Sequence, residues 1–341
     1  MVAISVKSPG HLDIRAGLPV PAPGVEDVLI RVERAGICGS DMHILHGSNP
    51  FAKYPRVIGH EFAGTVMSVG TAVTGIVAGD RVVVDPVIAC GHCHPCRIGR
   101  PNVCGHLEVL GVHRDGGFRD HLAVPSANCV KIPAGLSTEM AALAEPFAVA
   151  ANVLSRTGIS ADDTVLIYGA GTVGLTVLQV AKIHGARCIV SDPDAARLER
   201  AMGFGADVTI NPLESDIATL VRDESEGLGP TLVIDGAGIP ALLTQACQLA
   251  SRAGRIGVLG FSAAPCHVSQ QEIVRKELTI VGSRLNCRFI PQVVQWLAEG
   301  KLQPAAMITQ VFAATDARAA FDLIEQHPEQ TIKVHLDFAS H

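Results

Sequence analysis

Residues 165–174 read Val-Leu-Ile-Tyr-Gly-Ala-Gly-Thr-Val-Gly, an apolar run that stops at three glycines in the pattern Gly-x-Gly-x-x-Gly. Alone, such a string says little. Its setting gives it meaning: the run before it has strand character, and residues 173–184 after it carry a helical pattern. A strand that turns through glycine directly into a helix opens a βαβ unit. Gly169 permits the tight turn, Gly171 lets backbone approach a pyrophosphate, and Gly174 lets the helix pack closely on the strand. With Thr172 and Val173 they form a helix start, whose free N–H groups and partial positive charge suit phosphates.

The same alternation continues along the chain. Strand-like runs fall at residues 164–168, 187–191, 207–210, 231–235, 255–259 and 277–282. Helix-like segments at 173–184, 194–202, 216–223 and 240–250 separate most of them. Strands alternating with helices predict a doubly wound parallel sheet, and six strands make a complete dinucleotide-binding (Rossmann) fold. Asp192 ends the second strand, where a carboxylate can accept from the ribose hydroxyls and repel a 2′-phosphate. Arg197 could touch the ribose or a phosphate and partly offset that charge, so NAD is favoured over NADP. Gly260 and Phe261 follow the fifth strand at its carboxyl end, where such sheets bind ligands, and are expected to border the nicotinamide.

The first ~145 residues differ. Short apolar runs at 28–32, 58–69, 81–84 and 121–130, punctuated by Gly and Pro, suit a β-rich, partly open barrel. Residues 137–157 read as one buried helix, capped by Ser137 and kinked or divided at Pro146. After Arg284, residues 291–299 look helical and 331–338 look like a last strand returning to the first domain. The chain of 341 residues exceeds the ~250 at which single cores usually stop growing. The expected division is therefore 1–149, 150–286 and 287–341, the third rejoining the first.

Charge and composition exclude several classes. A net charge of −6 favours neither nucleic acid nor an anionic membrane, and 4% aromatics leave little for base stacking. No apolar stretch of ~18 residues reads as a membrane span. Residues 1–10 lack the basic start and apolar run of an export signal, so a cytoplasmic protein with reduced thiols is expected.

Ten cysteines then need another explanation, and four of them lie within fifteen residues. Cys90, Cys93, Cys96 and Cys104, spaced C-x2-C-x2-C-x7-C, suit tetrahedral zinc with no open position. An iron–sulfur cluster would accept the same thiolates. The neighbouring His92, His94 and His106 read as solvated loop residues.

Three further fragments are G-I-C-G-S-D-M-H at 36–43, G-H-E-F-A-G at 59–64 and A-E-P at 144–146. Together, ahead of a dinucleotide fold, they closely resemble the zinc-containing medium-chain alcohol dehydrogenase family over essentially the whole chain. N-P-F-A-K-Y-P-R-V-I-G-H-E from Asn49, V-D-P-V from Val84 and L-G-V-H-R-D-G-G-F from Leu110 resemble its polyol, threonine and sugar-acid dehydrogenase branch.

The resemblance implies a GroES-like catalytic domain beside the Rossmann domain, with two Zn²⁺ per chain and NAD. Cys38 and His60 would bind catalytic zinc, with Glu61 or Glu145 as third ligand. Family members with a classical site carry a cysteine where Glu145 stands, so this site is harder and more negative. Ser40 would accept the hydroxyl proton first, with the nicotinamide ribose and His43 completing the relay. Asp41 would orient the loop. Ser283 and Arg284, in Gly-Ser-Arg, would lie near the cofactor, with Arg284 able to pair with Glu145 or contact substrate. The cleft between the domains would hold nicotinamide, zinc and substrate.

Several polyol dehydrogenases place an aromatic directly after the relay histidine; this chain has Ile44. Their pocket does not carry over intact, and His46, Asn49, Phe51 and His113 are candidates for replacing its contacts. The expected reaction is hydride transfer from a secondary alcohol of a sugar acid or polyol to NAD. Threonine 3-dehydrogenase-like activity and an NAD-binding regulatory role are the alternatives. Zinc-free quinone reductases lack the metal ligands kept here. The family also implies a homo-oligomer, a tetramer over a dimer.

Overall fold

The structure, a computed structural model describing residues 1–339, divides the chain into two units. Met1–Glu145 joins the chain from Cys287 onward in one; Pro146–Asn286 makes the other.

The second unit is built on six strands in the order Val208–Ile210, Arg187–Ser191, Thr164–Tyr168, Leu232–Asp235, Arg255–Val258 and Thr279–Gly282. Every pairing is parallel. The central strands are apolar throughout because helices cover both faces: Val165, Leu166, Ile167, Leu232, Val233 and Ile234 are wholly buried. Strand order reverses beside Thr164–Tyr168, which puts the glycine loop at the switch point where such sheets bind ligands.

Helix starts follow local chemistry. Asp194 and Asp216, read as first helical residues, are caps whose carboxylates accept from the two N–H groups ahead of them. Ser269 caps a helix, Gln270–Lys276, that the sequence pattern left unread. Glu277 closes it in the left-handed region at φ 52°, so the last strand starts at Thr279, not 277.

The first unit carries a seven-stranded mixed sheet centred on the long strand Asp27–Ile37. That strand pairs antiparallel with Glu61–Val69, His121–Pro125 and Lys333–Asp337. A second sheet joins His11–Arg15, Ala3–Ser8 and Arg56–Val57.

Two readings of this unit change. The run at 121–130 breaks into His121–Pro125, a 3₁₀ turn and Cys129–Lys131, since Pro125 has no N–H to extend the ladder. Residues 137–157 form two helices, Thr138–Ala141 and Ala144–Thr157. Ser137 caps the first by accepting from Met140 N (3.2 Å). Pro146 lies in the first turn of the second, where its missing N–H is tolerated. The tail adds an unread strand, Ile308–Ala313, and a helix, Ala317–Gln326. Among the described residues no helix is long and apolar enough to cross a membrane.

Candidate active site

Strand Asp27–Ile37 delivers the chain to Cys38, and helix Gly39–Leu45 starts immediately after it. One buried side chain organises this corner. The Asp41 carboxylate accepts from Cys38 N (2.9 Å) and from Gly59 N (3.1 Å), so it ties the Cys38 turn to the turn that carries His60. Cys38, His60 and Glu61 consequently offer ligand atoms all within 4.8 Å of one another.

His60 is 5% exposed. Among the described residues its Nδ1, 3.7 Å from Asp41 Oδ1, has no hydrogen-bond partner, while Ser40 Oγ stands 3.4 Å from Nε2. Burial alone would lower this ring's pKa. Asp41, Cys38 and Glu145 outweigh it and hold the ring well above its ordinary value. A buried imidazole with a carboxylate 3.7 Å behind Nδ1 and a thiol near the ring is a donor set that fits a metal: the carboxylate's charge favours a proton on Nδ1, which would leave Nε2 for coordination. Mixed sulfur, nitrogen and oxygen donors suit zinc.

Glu61 has a partner that sequence reading missed. Lys333 Nζ donates to both its carboxylate oxygens, at 2.8 and 2.7 Å, and to Ile37 O at 3.1 Å. The fit is close, since a Cβ on Gly36 would stand 2.5 Å from Glu61 Oε2. The only available signal was the apolar alternation of Lys333–Asp337, which looks like a half-exposed strand. In the fold both faces are covered, and Lys333 and His335 are buried beside Val334 and Leu336.

Glu145 opens the helix Ala144–Thr157 and is 4% exposed. It lies outside the Cys38–His60–Glu61 trio. Burial pushes its carboxyl up to about 7; His60 opposes that and Glu61 adds to it. His43 Nδ1 meets Ser48 Oγ at 3.0 Å on an exposed face, and among the described residues no hydrogen bond joins His43 to Ser40. His46 pairs with Glu325 (3.0 Å).

Cys90, Cys93, Cys96 and Cys104 form a second cluster, their sulfurs within 4.8 Å of one another. All four are free thiols, with N–H groups of Cys90, Gly105 and His106 aimed at the sulfurs. Backbone amides near Cys96 and Gly105 draw the Cys93 thiol down to about 6, while burial sends Cys96 up to about 12. The His92 ring bonds to Cys90 O (2.8 Å) and faces His106, outside the tetrad.

In the second unit Gly171 caps the helix Thr172–Ile183, with Val173 in its first turn. A Cβ on Gly174 would stand 1.8 Å from Gly169 O, so no other residue fits. Asp192 is buried; its oxygens accept from Ala170 N (2.8 Å) and Asp194 N (2.9 Å). It therefore holds the glycine loop, and each oxygen keeps further acceptor capacity. Arg197 Nε lies 3.9 Å from Asp194. Gly260 approaches Gly238, and the exposed Phe261 has the Arg284 guanidinium 5.7 Å over its ring. Ser283 Oγ accepts from Asn152, which also holds the Leu285 carbonyl.

A parallel dinucleotide sheet, a Cys–His–Glu trio and a four-thiol lobe define a metal-dependent dehydrogenase class. The alcohol dehydrogenase GroES-like domain matches residues 24–134, and the zinc-binding dehydrogenase domain matches 172–299. The starvation-sensing protein RspB of Escherichia coli K12 is 46% identical over 99% of this chain and 100% of its own. L-galactonate-5-dehydrogenase of the same organism is 35% identical over 85% of each. An RspB from E. coli CFT073, solved with the cofactor NADH, superposes with a TM-score of 0.93 at 44% identity over 99% of both chains. The chain belongs to the zinc-containing medium-chain alcohol dehydrogenase family and is an oxidoreductase.

Proposed function

We propose that this enzyme oxidises a secondary alcohol of a sugar acid or polyol and passes the hydride to NAD. The observation that carries the reading is the Cys38–His60–Glu61 trio, half-buried at Cys38 and buried at His60 and Glu61, braced by Asp41 and Lys333. Of the two carboxylates considered as third ligand, the trio supports Glu61. Zinc bound there supplies the Lewis acidity that makes an alcohol hydroxyl acidic. The dinucleotide accepts the hydride, and the chain supplies position and field.

The residues divide the remaining work. Ser40, against the His60 ring, would receive the hydroxyl proton, which the nicotinamide ribose and His43, on its exposed face, would pass on to water. Asp41 holds together the two turns that carry Cys38 and His60. The Thr172–Ile183 helix start takes the pyrophosphate, and Asp192 accepts from the ribose hydroxyls while repelling a 2′-phosphate. The four-thiol lobe holds a second, structural zinc and takes no part in the chemistry.

The test is NADH formation against a panel of sugar acids, polyols and L-threonine, comparing wild type with Cys38→Ser at equal lobe zinc. Turnover lost in Cys38→Ser supports the reading. Undiminished turnover in that variant sinks the metal mechanism.

A further inference from the structure

His335 is wholly buried, and among the described residues neither nitrogen of its ring has a hydrogen-bond partner. Buried polar side chains are nearly always paired, so two unmet nitrogens on one ring call for a partner. We propose that His335 is a positioning residue for the metal site, joined to the Glu61 carboxylate through one buried water. This deepens the dehydrogenase reading and rests on it for the metal.

Strand register puts the two residues in one row. His335 pairs with Gly36 of the strand Asp27–Ile37, and Gly36 pairs with Glu61 on its other side. Residues directly opposite in antiparallel strands share a face of the sheet, so His335 and Glu61 flank a position that has no side chain. Glu61 and Lys333 already reach over it: a Cβ on Gly36 would stand 2.5 Å from Glu61 Oε2 and 3.2 Å from Lys333 Cδ. From Gly36 to the strand of His335 is one strand spacing, ~4.8 Å. A water making two hydrogen bonds of ~2.8–3.0 Å spans that distance.

The choice of acceptor is narrow. Burial and the cations Lys333 and Arg34 hold the pKa of the ring down to about 3 against the pull of Glu61, so the ring is neutral, with one nitrogen donating and one accepting. Lys333 and Arg34 can only donate, and the three hydrogens of Lys333 go to both Glu61 oxygens and to Ile37 O. Gln310, whose Oε1 is also unpaired, lies in register with Val334 and so on the other face. Glu61 is the acceptor on the face of His335, and each of its oxygens keeps a lone pair beyond its bond to Lys333. The water takes the ring N–H and donates to that carboxylate. With Lys333 on one side and the water on the other, the carboxylate is held in one orientation beside Cys38 and His60.

The experiment compares wild type, His335→Leu and His335→Gln as full chains. Zinc binding at the trio is measured by competition with a chromophoric chelator, with the four-thiol lobe as reference in the same molecule. Urea unfolding is measured with trio zinc removed and lobe zinc kept. His335→Leu should weaken trio zinc about ten- to hundredfold and leave lobe zinc unchanged, and His335→Gln, which can still donate to the water, should restore most of the affinity. A ring that merely fills space predicts otherwise. Leucine, of similar volume, would then discard two unmet nitrogens, so stability would hold or rise while zinc affinity stayed at the wild-type value. That outcome overturns the proposal. A high-resolution crystal structure of wild type gives a readout that does not depend on the metal, and it decides where wild type takes zinc only at the lobe or where His335→Leu fails to fold. A water between His335 and Glu61 upholds the positioning contact even if the trio takes no zinc and the metal reading falls. No water there overturns it.

Discussion

Replacing Lys333 with methionine tests how the buried carboxylate of the trio is neutralised. Lys333 and Glu61 are 2% and 1% exposed and meet at 2.7 Å. At that distance and an effective dielectric of about 20, their attraction is roughly 6 kcal/mol. Dehydrating both ions offsets most of it, so the intact pair contributes little net stability. Removing Lys333 leaves the buried anion without its hydrogen-bonded cation, His60 being the remaining positive neighbour, at a cost of up to about 3–5 kcal/mol. Methionine roughly keeps the volume of the stem, so the loss reports charge and not a cavity. Burial would raise Glu61, yet Lys333 and His60 hold it below the ordinary 4.5; burial would lower Lys333, yet Glu61 and Cys38 hold it above 10.5. A carboxyl lowered on folding contributes stability above its ordinary value and loses it as pH falls through the folded value. An amine raised on folding contributes below its ordinary value and loses it as pH rises through the folded one. Between 4.5 and 10.5 the wild-type contribution is therefore flat. The Lys333→Met deficit should instead shrink on acidification toward 4.5, as Glu61 takes up a proton. Urea unfolding of zinc-depleted protein, followed by fluorescence, reads this in the correct unit, because the single tryptophan, Trp296, lies on a helix of the same unit as the pair. Glu61→Gln and the double variant complete the cycle. The double variant should recover most of the Lys333→Met loss. Unfolding at the wild-type urea concentration, or a double variant equal to the sum of the singles, would refute the reasoning.

The other predictions concern the nucleotide loop and the thiol lobe. Asp192→Ala should raise KM for NAD by about tenfold or more and narrow the preference over NADP, since it removes both the proposed ribose acceptor and the partner of Ala170 N; parallel saturation curves with the two cofactors check it, and an unchanged ratio refutes the role. Metal analysis should find two zincs per chain in wild type and one in Cys96→Ser. In the lobe, binding must displace the proton held by Cys96, whose thiol is pushed up to about 12. Its zinc affinity should therefore fall as pH falls, by about tenfold per unit for each proton released, in competition with a chromophoric chelator; a flat profile would contradict the assigned thiols.

Short-range features were legible because their causes are short-range. A glycine that must pass under a carbonyl, as Gly174 does under Gly169 O, has to be glycine wherever the fold places it. Asp194, Asp216 and Ser137 sit at helix starts because their oxygens reach N–H groups two or three residues ahead. Cys90, Cys93, Cys96 and Cys104 lie within one loop, so spacing alone brought the sulfurs into consideration together. Boundaries were less legible: Glu277 reads as strand until the left-handed close of the preceding helix is seen. The tail strand Ile308–Ala313 gave little signal because it alternates weakly and is only partly buried.

From its sequence alone the chain declared the dinucleotide turn, the alternating parallel architecture, the thiol lobe and the residue types of the trio. Tertiary structure decided what surrounds them. Asp41 joins two turns eighteen residues apart, and Lys333 reaches Glu61 across 272 residues because antiparallel pairing of Lys333–Asp337 with Asp27–Ile37 lays the tail against the ligand strand. No local pattern could announce that pair, since burial of a charge depends on which elements cover it, and its stability depends on a partner supplied by another strand.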